Sequence, residues 1–374
     1  MVEQWSPAAF GGAFFIYTRF SLLTRKACSN VETPNMDTKL YTNLKVGKPK
    51  DGIIEIDGEI SADMIEFHRK EVLEEVRQDI EIPGFRKGNA PKDMVEKQVN
   101  MNHVLEDAAE EALSLAYPSI LDDNHIVPIS SPRVTFVKLA LGNPLVFKIT
   151  IAVEPEVNLP NYKKIAKAIK DKKEKIEATD KDVEEVIQQL LTMRQGEDGK
   201  LPELTDEFVK TVGQFENVQD FKEKLKTNIQ AEKEAESARV RYEELAKQLV
   251  DESKVVVPSL LVEDELYAAH GRLHKELERR KMSEEEYFKL IKKTEEEYIK
   301  ERKEAIERQF KTKFILKAIA AKENIKADEA EVEKEVGHAA SHYPDANPEA
   351  FRSYVEEMLS NEKTLKFLED ANWA

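Results

Sequence analysis

The chain has 374 residues, of which 35% are charged and 41% hydrophobic, with a formal net charge of −16 and one cysteine. That length admits two or three domains, and a second half rich in Lys, Glu, Ala and Leu is how long amphipathic helices are written. The acidic balance excludes nucleic-acid binding through the surface as a whole, because polyphosphate repels it. The lone Cys28 excludes an intrachain disulfide or a cysteine zinc site and points to a reducing cytosol.

Residues 1–35 stand apart. Ala8 to Tyr17 is an apolar run of signal-peptide length, but only Glu3 precedes it where a basic residue belongs. Arg19 interrupts it short of the roughly 20 apolar residues a membrane span needs. The expectation is a leader outside the mature fold with Met36 as the working start; a degenerate export signal ending near Ala27 and Cys28 is the alternative. From Gly52 to Ile60, Ile54, Ile56, Gly58 and Ile60 alternate with Glu55, Asp57 and Glu59, which predicts a strand. Ser61 then caps a helix with Ile65, Arg69, Val72, Val76 and Ile80 on one face, stopped by Pro83 and Gly84. Pro91 opens a second helix through Met94, Val95 and Val99. A third carries Val104, Leu105, Ala108, Ala112, Leu113 and Ala116, with Pro118 near its end. Val134 to Leu141 and Leu145 to Val153 flank the turn signal Gly142-Asn143-Pro144 and predict a hairpin.

Pro155 and Pro160 mark a linker, and the lysine-rich stretch from Lys163 to Lys175 reads as a solvated connector. Thr179 caps a helix with Val183, Val186, Ile187, Leu190 and Leu191 that ends before the turn Gly196-Glu197-Asp198-Gly199. A long helix follows from Val218 through Leu249 until Pro258, and another carries Leu261, Leu266, Leu273 and Leu277. Ser283 and Glu286 form a capping-box signature for a helix expected to run towards Lys322, and Pro344 and Pro348 set off a last one with Phe351, Val355, Leu359, Leu365 and Leu368. Prolines and shifting apolar spacing argue against one continuous coiled coil. The fold class is therefore an α+β N-terminal domain (strand, three helices, β-hairpin) over 36–156, then a linker strand and helix over 157–203. A mostly α-helical domain with long helical arms fills 204–374.

Between Ile82 and Lys92 no acidic residue occurs, while Arg86, Lys87 and Lys92 surround Phe85. In so acidic a chain this basic island would orient the molecule towards an anionic surface, with the ring adding apolar or stacking contact. Gly84 and Gly88 permit tight turns, and Pro83 and Pro91 limit the entropy lost on ordering the tip. On these residues alone an ordinary interhelical connector explains the segment at least as well.

The segment Gly84-Phe85-Arg86-Lys87-Gly88-Asn89-Ala90-Pro91 resembles the ribosome-docking signature of the trigger factor family. Its flanks, the stretch Ala152-Val153-Glu154-Pro155-Glu156-Val157, and Leu201-Pro202-Glu203-Leu204-Thr205-Asp206-Glu207-Phe208 are similar to that family too. The resemblance implies an ATP-independent chaperone docking through Phe85, Arg86 and Lys87, with Gly84, Gly88 and Pro91 shaping the loop. Its partners would be the ribosome (an exit-tunnel protein and nearby RNA) and unfolded or nascent polypeptides, without a membrane; a homodimer off the ribosome is left open. No cofactor is expected. Two departures stand out. Asn89 replaces a lysine that is frequent in the family, and Lys170 to Leu204 is too short for the family's FKBP-like prolyl isomerase domain, since chains below roughly 40 residues seldom fold alone. The expectation is a shortened member that is not an enzyme.

In the helical half, Phe310, Phe314, Tyr354 and Met358 are candidates for client contact, with core packing as the competing role. His270 with His274, and His338 with His342, are spaced as many metal ligands are, but neither pair has an identifiable third ligand, so no metal site is expected. No phosphate-binding Gly-x-x-x-x-Gly-Lys loop occurs. The competing functions are a holdase off the ribosome, such as the exported SurA-type chaperones, and a residual prolyl isomerase.

Overall fold

A computed structural model describes residues 39–171, 177–195, 201–340 and 348–370. The leader at 1–35, Met36, the turn at 196–199, His342 and Pro344 lie outside them. The strands are β1 (Thr42–Val46), β2 (Ile53–Ile60), β3 (Arg133–Lys138) and β4 (Leu145–Ala152). The first helices are α1 (Ala62–Asp79), α2 (Lys92–Gln98), α3 (Met101–Asp123), α4 (Tyr162–Asp171), α5 (Asp180–Met193) and α6 (Asp206–Val212). They are followed by α7 (Val218–Glu252), α8 (Ser259–Arg280), α9 (Glu284–Ile291), α10 (Glu295–Glu323), α11 (Glu329–Ala340) and α12 (Pro348–Asp370). An N-terminal α+β region thus precedes a mostly helical one. The chain divides into two compact units, residues 1–156 with 256–307, and residues 157–255 with 308–374.

The first unit is built on an antiparallel sheet of order β1-β2-β4-β3. Lys50 and Ile53 exchange both backbone hydrogen bonds across Asp51 and Gly52, whose φ angles of 52° and 73° make the two-residue turn that suits a twisted hairpin. Ile56 faces Ile149 across β2 and β4, and Leu145, Phe147, Ile149 and Ile151 are fully buried, as the alternation predicts. Ile65 of α1 and Ala109, Ala112, Leu113, Ala116 and Ile120 of α3 cover that face. Pro118 sits within α3 near its C-terminal end, as expected, and Ile120 beyond it is fully buried in the core. Arg133 of β3 pairs with Glu263 and Asp264 of α8, the latter at 3.0 Å.

Ser283 and Glu286 do form a capping box at the start of α9. The helix expected to continue from there to Lys322 is, however, two helices. Lys292 takes the left-handed conformation (φ 53°), and Thr294 with Glu297 then starts α10 reciprocally, with bonds of 2.9 and 3.2 Å.

In the second unit residues 172–175 of the lysine-rich stretch lie outside the described residues. Its described part, residues 163–171, is not a solvated connector but belongs to helix α4, in which Tyr162, Ile165, Ala166 and Ile169 are at most 5% exposed. They pack with Leu245 and Leu249 of α7, Ile315 and Ile319 of α10, and Leu368 of α12. The Tyr162 hydroxyl donates to Glu323 Oε1 at 2.6 Å, and Lys163 Nζ pairs with the same oxygen at 2.8 Å. A second core joins Val183, Ile187 and Leu191 of α5 to Val209 of α6 and to Phe221 and Ile229 of α7. Thr179 caps α5 through a reciprocal box with Asp182. No described helix is long and apolar enough to cross a membrane.

Candidate functional site

The segment between α1 and α2 is fastened at both ends. Ile82 and Ala90, 6% and 3% exposed, pack with Val95 of α2, and Val76, Ile80 and Val99 close the cluster. Between these anchors the backbone makes two successive tight turns. Phe85 N donates to Ile82 O, and Asn89 N to Arg86 O, both at 3.0 Å. In each turn the third residue is a glycine in left-handed conformation, Gly84 at φ 90° and Gly88 at φ 82°. A Cβ at either would meet nothing within 4 Å, so backbone conformation and not crowding demands glycine there. Pro83 presets the second position of the first turn. Pro91 precedes α2, and its carbonyl accepts from Met94 N and Val95 N at 3.0 and 3.2 Å.

The fastened backbone presents Phe85, Arg86, Lys87 and Asn89 to solvent, with Phe85 40% exposed despite its size. Lys87 lies 3.5 Å from Glu81, and Lys92 lies 3.5 Å from Glu74. The Glu74 carboxyl is held below the ordinary carboxylate range chiefly by its hydrogen bond from Arg77, with Lys92 adding to it. Arg86 has no acidic partner among the described residues. Exposed lysine–carboxylate pairs are worth little, so Lys87 is readily given up to a competing anion. The tip is thus an exposed aromatic ring beside two cations on a backbone that is already shaped.

The helical candidates separate. Phe314 is 5% exposed and belongs to the core, while Phe310, half-buried, stacks on it at a centroid distance of 6.3 Å. Tyr354 and Met358, one turn apart on α12, are 62% and 42% exposed. Of the histidines, His270 and His274 share the carboxylate of Glu284, 3.4 and 3.6 Å away, a neighbour their sequence spacing did not reveal. Among the described residues a metal-like grouping lies elsewhere, at His68, Glu71 and Glu111, a trio that no sequence spacing brings together.

Residues 42–190 match the family model described as bacterial trigger factor protein, and residues 217–369 match the model of its C-terminus. The trigger factor of Carboxydothermus hydrogenoformans is 26% identical over 412 positions, covering 84% of this chain and 96% of that one. That of Clostridium beijerinckii is 25% identical, covering 87% of this chain and 99% of that one. A solved structure from work on promiscuous substrate recognition in folding and assembly activities of the trigger factor chaperone shares the fold. Its TM-score is 0.52 at 19% identity, over 88% of this chain and 99% of that one. Since 84% of 374 residues is about 314, about 98 of the 412 positions aligned with the Carboxydothermus protein have no counterpart here. Only residues 191–216 separate the two matched stretches, too few for the FKBP-like isomerase domain.

Proposed function

From the premise that this chain belongs to the trigger factor family, a family of chaperones, we propose that it docks beside the ribosomal exit tunnel through Gly84–Pro91 and shields emerging polypeptides without ATP. The observation that carries the reading is the loop itself, which holds Phe85, Arg86 and Lys87 outward on two glycine turns fastened by Ile82 and Ala90. A tip ordered before contact spends little entropy on docking. Arg86 and Lys87 meet phosphate or carboxylate groups, and Phe85 fills an apolar or base-stacking position. Gly84, Gly88 and Pro91 act by shape.

A client is held by apolar surface. Tyr354 and Met358 offer it outright, Phe310 offers an edge, and Phe314 would contribute only if its core opened. Release needs no nucleotide, because a chain that buries its own apolar residues no longer has anything to bind with. With no isomerase domain, the chain works as a holdase in the cytosol.

Ribosome co-sedimentation tests the docking. Replacing Phe85, Arg86 and Lys87 together by alanine should abolish co-sedimentation while leaving the melting temperature unchanged, since all three are exposed. Undiminished binding by that variant overturns the docking role. A parent chain that does not co-sediment with ribosomes yet suppresses client aggregation would point instead to a holdase acting off the ribosome.

A further inference from the structure

Helix α1 places His68 and Glu71 one turn apart on the side that meets α3, and α3 supplies Glu111 opposite them. His68 Nδ1 lies 3.0 Å from Glu71 Oε2 and 3.5 Å from Glu111 Oε2. Among the described residues this is the one group of His, Cys or acidic side chains in which three ligand atoms all fall within 4.8 Å of each other. His68 is 5% exposed, yet neither of its ring nitrogens makes a hydrogen bond. The oxygens are therefore near Nδ1 but out of line with it.

We propose that His68, Glu71 and Glu111 form a binding site for a divalent transition-metal ion of the zinc class, joining α1 to α3. One imidazole and two carboxylates carry two negative charges when His68 is neutral, which matches the charge of the ion. Bonds of about 2.0–2.2 Å around a tetrahedral ion separate its ligands by about 3.3 Å, so the observed 3.0 and 3.5 Å spacings need only small side-chain adjustment. The side chains of Glu71 and Glu111 are 34% and 27% exposed, which leaves a path for the ion and a position for water as fourth ligand. Binding relieves two costs, a buried imidazole without a partner and two carboxylates held close together. Because α1 runs straight into the docking loop, the ion would also stiffen the loop's stem.

The test uses the full chain stripped by chelation, with Zn2+ followed by calorimetry and Co2+ by visible absorption. One ion per chain is expected, together with a zinc-dependent rise in melting temperature. Glu71→Gln and Glu111→Gln should each weaken Zn2+ binding at least about tenfold while keeping the parent circular dichroism. Both positions are partly exposed, so these variants should fold even where His68→Gln does not. His270→Gln/His274→Gln should bind as the parent does. The proposal fails if no one-to-one uptake occurs, if both glutamate variants bind unchanged, or if the loss follows His270 and His274. It also fails if zinc leaves the melting temperature of the chelated protein unchanged.

Discussion

At the scale of single residues, the glycines of the loop do work that no other residue could do without strain. Gly84 and Gly88 hold φ angles of 90° and 82° in open space, so alanine would cost backbone energy and nothing else. Gly84→Ala should cost about 1 kcal/mol of local order, and ribosome affinity should fall about fivefold with Phe85, Arg86 and Lys87 intact. Co-sedimentation of that variant beside the parent checks this; equal affinity would mean that the turn is not needed in the bound form. The sequence made these glycines legible because Pro83-Gly84 and Gly88 are turn signals whatever the fold. It did not make His68 legible, since a lone histidine on an amphipathic helix acquires meaning only when α3 brings Glu111 against it. Tyr41 is a second such residue. Its hydroxyl donates to Asp123 at 2.5 Å, and burial, with that bond adding to it, pushes its pKa up to about 12. A phenol whose folded pKa lies above the ordinary value of about 10 stabilises fully below pH ~10 and loses that contribution as pH rises through about 12. Tyr41→Phe should therefore cost about 1–2 kcal/mol near neutrality and flatten part of the alkaline loss. Urea titrations at pH 7 and at high pH read both effects.

At the scale of elements, local chemistry located most boundaries and composition misled at one. Ser61, Thr179 and Ser283 cap the helices that the sequence assigns to them, because a side chain that satisfies the first free N–H groups acts over only three or four residues. By the same rule Thr294-x-x-Glu297 marks the break between α9 and α10, and Asp51-Gly52 marks the β1–β2 turn. Helix α11 has no such local signal as strong as these. Among its residues of described burial Val332 is the one that is buried, which leaves little apolar stripe. Helix α4 was obscured by its lysines. Tyr162, Ile165, Ala166 and Ile169 recur at helical spacing, but lysines at 163, 164, 167 and 170 dominate the composition. If α4 is a core element, Ile165→Ala should cost about 2–4 kcal/mol, and Lys164→Ala, on the exposed face, less than about 0.5 kcal/mol. Chemical denaturation of the two variants distinguishes a core helix from a solvated tether, which would tolerate both.

At the scale of the molecule, two consequences follow from charge and from partition. With a net charge of −16 the chain is repelled by polyanions over most of its surface, so approach to a ribosome favours orientations that lead with the basic loop. Partition was less legible in the sequence. The residues 256–307 read there as part of a continuous helical half, whereas they cluster with the sheet-bearing unit, which has its own core. Sequence order hides this because the tie is long-range. Arg133, its side chain 17% exposed, pairs with Glu263 and Asp264 some 130 residues away. Two units with separate cores need not unfold in one transition. Arg133→Met should lower the stability of the first unit by about 1–3 kcal/mol, below the full cost of breaking a buried pair because both carboxylates can regain water. The second unit's transition should keep its midpoint. Hydrogen exchange during urea titration separates the two, with β2 and β4 reporting the first unit and α4 the second. A common shift of both midpoints would mean that the units unfold as one, and that the tie at Arg133 supports the whole chain.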